Sequence, residues 1–266
     1  MTDGGKEMIL ALDVGNTHTV CGIFCDEALI ADWRLATDRL RTTDEYALIM
    51  KGFFDHYRID QSKLGGVIIS SVVPPVTGMF VDMVRHYFGL EPMVIGPGIK
   101  TGLSIRYENP REVGADRVVN AVAAIKIYKP PLIIVDFGTA TTFCAINPEG
   151  EYLGGAIVPG VGISAEALFM RAAKLPRVEL EKPKTVIGRN TVASIQSGLI
   201  YGYLGLVEGI ITRMIQEMGC KPKVVATGGL SEIFARESPM IHCTDKKLTL
   251  EGLRIIYEMN AGKERQ

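Results

Sequence analysis

Two stretches of this chain read as one stretch written twice. Asp13-Val14-Gly15-Asn16-Thr17-His18-Thr19-Val20-Cys21-Gly22-Ile23 aligns without a gap on Asp136-Phe137-Gly138-Thr139-Ala140-Thr141-Thr142-Phe143-Cys144-Ala145-Ile146. An aspartate, a glycine, a threonine, a cysteine and an isoleucine coincide. Each copy follows an apolar run (Met8 to Leu12; Leu132 to Val135) and leads into another, which reads as strand, tight polar turn, strand. A strand-ending aspartate sits where strand propensity fails, and the glycine two residues on permits a tight turn and close backbone approach. The small hydroxyl residues that follow can offer side chains and backbone N–H groups to an anion such as phosphate. The carboxylate would reach phosphate only through a cation. A single copy is equally an ordinary hairpin turn, since Asp, Gly, Asn and Thr are turn residues. A second copy at half-chain separation favours a duplicated pair of domains.

The chain is long enough for two domains of about 130 residues each, and buries roughly 70–75% of its unfolded surface without staples. Its 29 basic and 30 acidic residues balance, with no basic stripe for nucleic acid or a membrane surface. Five cysteines without a close CxxC pattern suggest a reducing compartment, and Cys21 and Cys144 read as small buried hydrophobes. The four histidines have no zinc spacing. The N-terminus lacks signal-peptide character, and no apolar run approaches the ~20 residues that span a bilayer.

In chain order, residues 8–14, Val20–Phe24 and Leu29–Leu35 read as an antiparallel meander. A helix capped around Thr43-Asp44-Glu45 runs to about Tyr57. A branched strand, Leu64–Val73, stops at Pro74-Pro75. A helix from Thr77 to Phe88 and a short strand, Pro92–Ile95, follow. Gly96–Gly114 is a loop long enough to suggest function. The nearly all-apolar helix Val118–Tyr128 calls for burial between domains or subunits. Lys129-Pro130-Pro131 marks the boundary between domains 1–129 and 130–266, with the last helix able to pack back on the first domain. The second copy then gives strands Leu132–Asp136, Thr142–Asn147 and Tyr152–Val158 and a helix Ser164–Ala173. A long helix, Val192 to Met218, is capped by Asn190 or Thr191. Its glycines, Gly198, Gly202, Gly205 and Gly209, mark a face that packs closely either within the domain or on a second copy. Strand Lys223–Thr227 opens into Gly228-Gly229, a flat surface suited to an adenine ring. Helix Leu250–Asn260 closes the chain.

There is no GxxxxGK[ST] phosphate loop. Gly160-Val161-Gly162-Ile163-Ser164-Ala165 matches a relaxed dinucleotide fingerprint, but the strand before it belongs to a meander and Pro159 abuts the first glycine. Asp116, just ahead of an apolar helix, suits a helix cap, and Thr191 likewise.

The set Asp13-Val14-Gly15-Asn16-Thr17, Gly114-Ala115-Asp116-Arg117, Asp136-Phe137-Gly138-Thr139, Gly154-Gly155 with Pro159-Gly160, and Gly188-Arg189-Asn190-Thr191 resembles type III pantothenate kinase, of the acetate and sugar kinase/Hsp70/actin superfamily. The resemblance covers about residues 8–260. It implies an α/β fold of two duplicated actin-like (ribonuclease H-like) domains, each a mixed sheet with flanking helices, and a nucleotide cleft between them. It implies ATP-dependent phosphorylation of pantothenate to 4′-phosphopantothenate, the first step towards coenzyme A. Asp13, Val14, Gly15, Asn16, Thr17, His18, Thr19, Val20 and Thr139 would then bind ATP, with Asp13 near Mg²⁺. Tyr107, Gly114, Ala115, Asp116, Arg117 and Thr191 would bind pantothenate, with Asp116 as general base. Asp136 would hold the activating K⁺ or NH₄⁺. A cytoplasmic homodimer with no nucleic-acid or membrane partner is implied. The competing readings are another small-molecule kinase or a phosphatase on the same scaffold, and a nucleotide-binding accessory transcription factor.

Overall fold

The computed structural model describes residues 7–261. The chain begins with strands β1 (Met8–Val14), β2 (His18–Cys25) and β3 (Ala28–Ala36), helix α1 (Thr43–His56) and strand β4 (Leu64–Ser71). Helix α2 (Pro74–Met83), strand β5 (Met93–Val94) and helix α3 (Ala115–Tyr128) follow. Next come β6 (Leu132–Phe137), β7 (Ala140–Ile146), β8 (Tyr152–Pro159), α4 (Val161–Arg171), α5 (Thr191–Ser197) and α6 (Tyr203–Met218). The chain ends with β9 (Lys223–Thr227), α7 (Ser231–Glu237), β10 (Cys243–Thr244) and α8 (Leu248–Ala261).

Among the described residues, ten strands form two five-stranded sheets of the same design, ordered β3-β2-β1-β4-β5 and β8-β7-β6-β9-β10. In each, the first three strands form an antiparallel meander and the last two join in parallel, the fourth beside the first. The duplication expected from the Asp–Gly turns therefore extends to the whole sheet. The gapless alignment does not survive past the turn. Leu12 pairs with Cys21 in the first hairpin, whereas Val135 pairs with Phe143 in the second. Cys144 is thus not the structural counterpart of Cys21. The second turn is one residue shorter: Gly15 N–H donates to His18 O at 3.0 Å, but Gly138 N–H donates to Ala140 O at 3.2 Å.

The chain divides into two compact units, one of residues 1–103, 109–123 and 247–266, the other of 104–108 and 124–246. In the first, β1 and β4 send alternate residues to opposite faces. Leu10, Leu12, Val67 and Ile69 meet α1 and α2 through Tyr46, Met50, Phe54 and Phe80. Ala11 and Ile68 meet Val119 and Val122 of α3 and Leu250, Leu253 and Ile256 of α8. The second unit buries Ile133, Val135 and Phe143 against Val207 and Ile211 of α6 and Phe234 of α7.

Several local expectations shift for physical reasons. The cap of α1 is Thr42, in a capping box with Glu45. Pro74 and Pro75 do not only stop β4; they start α2, three residues before Thr77, because a proline in a helix's first turn forfeits no hydrogen bond. The α5–α6 helix is capped by Asn190, whose Oδ1 accepts from Ala193 N–H at 2.8 Å, and relaxes into a π turn over Gly198–Gly202. A Cβ at Gly198, Gly202 or Gly205 would meet nothing within 4 Å, so the glycine face does not pack within the chain. The Thr191–Met218 helix also corrects the absence of a bilayer-length segment. By length and composition it suffices, and only 22% of its most apolar stretch is buried. Interspersed glycines and polar residues hide it from a search for unbroken apolar runs.

Gly252 of α8 is where α3 and α8 approach closest: a Cβ there would run into the Val119 carbonyl. Gly252→Ala should cost about 1–3 kcal/mol by overpacking. Gly52→Ala, in open space on α1, should gain roughly 0.5–1 kcal/mol by helix propensity. Urea denaturation of the two variants checks both signs.

Candidate active site

Asp13 ends the buried run of β1, held between Val20 on the antiparallel side and Ser70 on the parallel side. Past it, Asn16, Thr17 and His18 are exposed, whereas Val14 and Thr19 are buried. Thr19 is occupied internally, its hydroxyl 2.9 Å from that of Thr37, and Thr37 N–H donates to Thr17 O at 3.0 Å. Arg39 Nη2 reaches Asn16 Oδ1 at 3.4 Å. Of the run from Asp13 to Val20, the exposed tip Asn16–His18 is therefore what a ligand meets first. Behind it, burial and then the nearby Asp13 charge push the Cys21 thiol far up, so it stays neutral and inert.

Asp136 occupies the equivalent place on β6, between Thr142 and Thr227. Gly138 and Thr139 are exposed at the turn, and Gly160 N–H donates to Thr139 O at 3.1 Å. A Cβ at Gly160 would strike the carbonyls of Gly138 and Thr139, which explains the Pro159-Gly160 pair. Gly228 has φ +88°, and a Cβ there would lie 2.6 Å from both Asp136 Oδ1 and Phe137 O. Those two oxygens converge on a cradle that any side chain at 228 would fill. A carboxylate oxygen and a carbonyl oxygen are suitable donors for a hard cation.

Asp116 lies inside the first turn of α3, which starts at Ala115, and is not the residue before the helix. Its carboxylate curls back so that Oδ1 would lie 2.5 Å from a Cβ on Gly114. Burial raises its pKa, opposed by the backbone N–H of Arg117 and by that residue's charge. Arg117 and Asn120 are buried one turn into the helix, and Asn120 Oδ1 accepts from Thr249 Oγ1 at 2.7 Å. By strand alternation Asp13 and Ser70 face the same way as Ala11 and Ile68. That is the face α3 covers, so Asp116 begins the helix packed on the Asp13 side of the first sheet.

The remaining expected residues stand on the second unit. Ile105 bridges to Tyr152 beside β8, with Arg106 N–H to Tyr152 O and Tyr152 N–H to Ser104 O both at 2.8 Å. Tyr107 lies against Gly154, its ring 3.4 Å from where a Cβ would be. Thr191 is exposed at the start of α5 and lines an open groove of about 640 Å³ with Gly188, Arg189, Asn190, Leu168 and Leu199. Tyr107 and Thr191 thus stand on separate elements from the Asp136 turn.

Ser70 escaped the sequence reading, and Thr227 entered it only as the end of the strand before Gly228-Gly229. Each is a buried hydroxyl on the parallel neighbour of a strand that ends in aspartate. The available signal was a hydroxyl at the carboxyl end of an apolar strand, the end where open α/β sheets bind ligands. Among the described residues no group of three or more His, Cys, Asp or Glu could hold a metal ion. Mg²⁺ needs only one or two carboxylates when phosphates complete its shell, and single strand-end carboxylates fit that use.

Two sheets of one order, each with its central strand ending in an Asp–Gly turn, define the actin-like ATPase fold. Solved structures agree. A chain described as a Baf-family transcriptional activator from Campylobacter jejuni matches with TM-score 0.60 at 18% identity, covering 95% of this chain and 99% of that one. MreB 5 of Spiroplasma citri bound to AMPPNP matches with TM-score 0.54 at 11% identity, covering 97% and 98%. The ethanolamine utilization protein EutJ from Carboxydothermus hydrogenoformans gives 0.54 at 15%, covering 94% and 89%. Within this fold the type III pantothenate kinase family model matches residues 9–213, most of the chain, and the chain belongs to that family. Family membership makes it a kinase. The match ends before β9, so the Gly228 cradle lies outside it.

The raised Asp116 pKa sets a stability test. Above the folded pKa the chain bears the cost of a buried charge that the unfolded chain does not, and below the unfolded value, about 3.9, both forms are neutral and the cost vanishes. Asp116→Asn should therefore raise Tm at pH 8, with the gain fading as pH falls through the folded pKa; thermal melts across pH check this.

Proposed function

We propose that this chain phosphorylates pantothenate with ATP to give 4′-phosphopantothenate, the entry to coenzyme A. The family match supports the reaction. The observation that carries the assignment of groups is the half-buried Asp116 carboxylate, its pKa raised by desolvation, in the first turn of the helix that covers the Asp13 face. Asp116 takes the proton from the pantothenate primary hydroxyl as that oxygen attacks the γ-phosphorus and the bond to the bridging oxygen of ADP breaks. Burial makes it a stronger base than a solvated carboxylate. Gly114 and Ala115 keep bulk away from it, and Arg117, Tyr107 and Thr191 orient the acceptor.

The polar tip Asn16–His18 and Gly15 hold the nucleotide phosphates, Thr139 makes a further nucleotide contact, and the Gly228-Gly229 turn receives adenosine. Asp13 would stand beside the Mg²⁺ carried by the nucleotide, which would supply positive charge against the phosphates. Asp136 Oδ1 and Phe137 O would hold a monovalent cation, K⁺ or NH₄⁺, which would supply further positive charge.

The working unit is a homodimer joined through the α5–α6 helix, whose glycine face is open and whose apolar stretch is little buried within one chain. None of the five cysteines forms a disulfide among the described residues, which suits the reducing cytoplasm.

A coupled assay of ADP release over a panel of small alcohols tests the substrate; turnover should require pantothenate. Asp116→Asn should lower kcat by about 10²–10⁴-fold while still binding ATP. The wild-type acid limb should lie above the usual carboxylate range and vanish in the variant. Replacing K⁺ and NH₄⁺ by Na⁺ should depress turnover, and unchanged turnover would remove Asp136 from the cation site. Sedimentation should give a dimer mass that Gly202→Arg shifts towards the monomer.

A further inference from the structure

Ser70 is wholly buried, and its Oγ has no hydrogen-bond partner among the described residues. Its neighbour is unlike it: Ser71 Oγ accepts from Val73 N–H at 3.1 Å and from Thr77 Oγ1 at 2.6 Å. A buried hydroxyl without a partner destabilises the chain that carries it, while alanine in its place would not. Ser70 otherwise sits in a strand of Val67, Ile68 and Ile69, where an apolar side chain would satisfy packing. Its hydroxyl therefore has no structural return in the ligand-free chain.

The register supplies its acceptor. Ser70 is the direct parallel partner of Asp13, on the same face. Adjacent strands lie about 4.8 Å apart, so rotation about one side-chain bond brings the hydroxyl within reach of the carboxylate. The second unit repeats the pairing, with buried Thr227 beside Asp136.

We infer that Ser70 is a positioning residue that donates to the Asp13 carboxylate in the nucleotide-bound state, fixing which oxygen faces the phosphate-bound divalent cation. The inference rests on the kinase reading above. A hydroxyl donor from the next strand adds a directed contact that selects one orientation of the Asp13 carboxylate. The hydroxyl that is unsatisfied in the free chain finds its partner when the carboxylate turns to the cation.

The test compares the full-length wild type with Ser70→Ala and Ser70→Thr, Thr being the residue at the twin position. Ser70→Ala should keep or raise Tm, since an unpartnered hydroxyl is removed. It should lower kcat on the order of tenfold or more, the usual scale for a group that orients a metal ligand. Its KM for pantothenate should stay at the wild-type value. Calorimetry should show weaker Mg·AMPPNP binding, and Ser70→Thr should restore both kcat and nucleotide affinity. Wild-type kcat and Mg·AMPPNP affinity in Ser70→Ala would overturn the inference. So would a Ser70→Ala protein that melts lower or does not fold, because the hydroxyl would then be structural. A folded Ser70→Thr that fails to recover would overturn it too. If the wild type releases no ADP with pantothenate, the functional reading fails by itself. Ser70 is then judged on Mg·AMPPNP affinity alone, a loss supporting the inference and no change refuting it.

Discussion

A carboxylate at the end of a buried central strand is an expensive group to hold in place, and the chain does so twice. Asp13 and Asp136 are each locked by an antiparallel partner on one side and a parallel partner on the other. Neither can move without breaking the ladder. The surrounding oddities follow from that fixed point. Position 228 takes glycine because its φ is positive and any side chain there would strike the Asp136 carboxylate, and Gly160 is bare because the turn carbonyls lie against it. In both sheets the neighbouring parallel strand brings a buried hydroxyl, Ser70 or Thr227, and in the first the covering helix also brings a second carboxylate.

The two copies share a topology and have diverged in detail. The first turn has one residue more than the second and offers three consecutive exposed polar residues, Asn16, Thr17 and His18. The shorter turn exposes Gly138 and Thr139 and is braced from behind by Gly160. A longer loop can wrap around several phosphate oxygens, whereas a short braced turn better fixes a carboxylate and a carbonyl. Unequal loops on equal sheets present different groups to a ligand.

Much of this was legible in the sequence because periodicity and turn chemistry are local. The two meanders, α1 and the closing helix could be read from alternation, a capping box and an apolar stripe. The misreadings concern what only tertiary structure decides. The register past a turn depends on loop length, so Cys144 appeared to match Cys21 while pairing one place out. Pro74 looked like a stop because sequence does not distinguish the end of a strand from the first turn of a helix. The helix glycines suggested close packing either within the domain or on a second copy, and Gly198, Gly202 and Gly205 face open space within the chain. Ser70 went unnoticed because a lone hydroxyl in an apolar run acquires meaning only from the strand beside it. The positions of Tyr107 and Asp116 were readable as residues, but not that neighbouring segments of one loop would join different compact units.

That interleaving has a consequence for how the chain can be divided. It passes from one unit to the other at 103, 108, 123 and 246. Helix α8 covers the same face of the first sheet as α3. A nascent chain released up to Pro131 would leave that face half bare, with Ala11, Ile68 and Val119 awaiting a helix more than a hundred residues away in sequence. The first half of the repeat is thus completed only after the second has been made, and neither unit is a continuous stretch of chain.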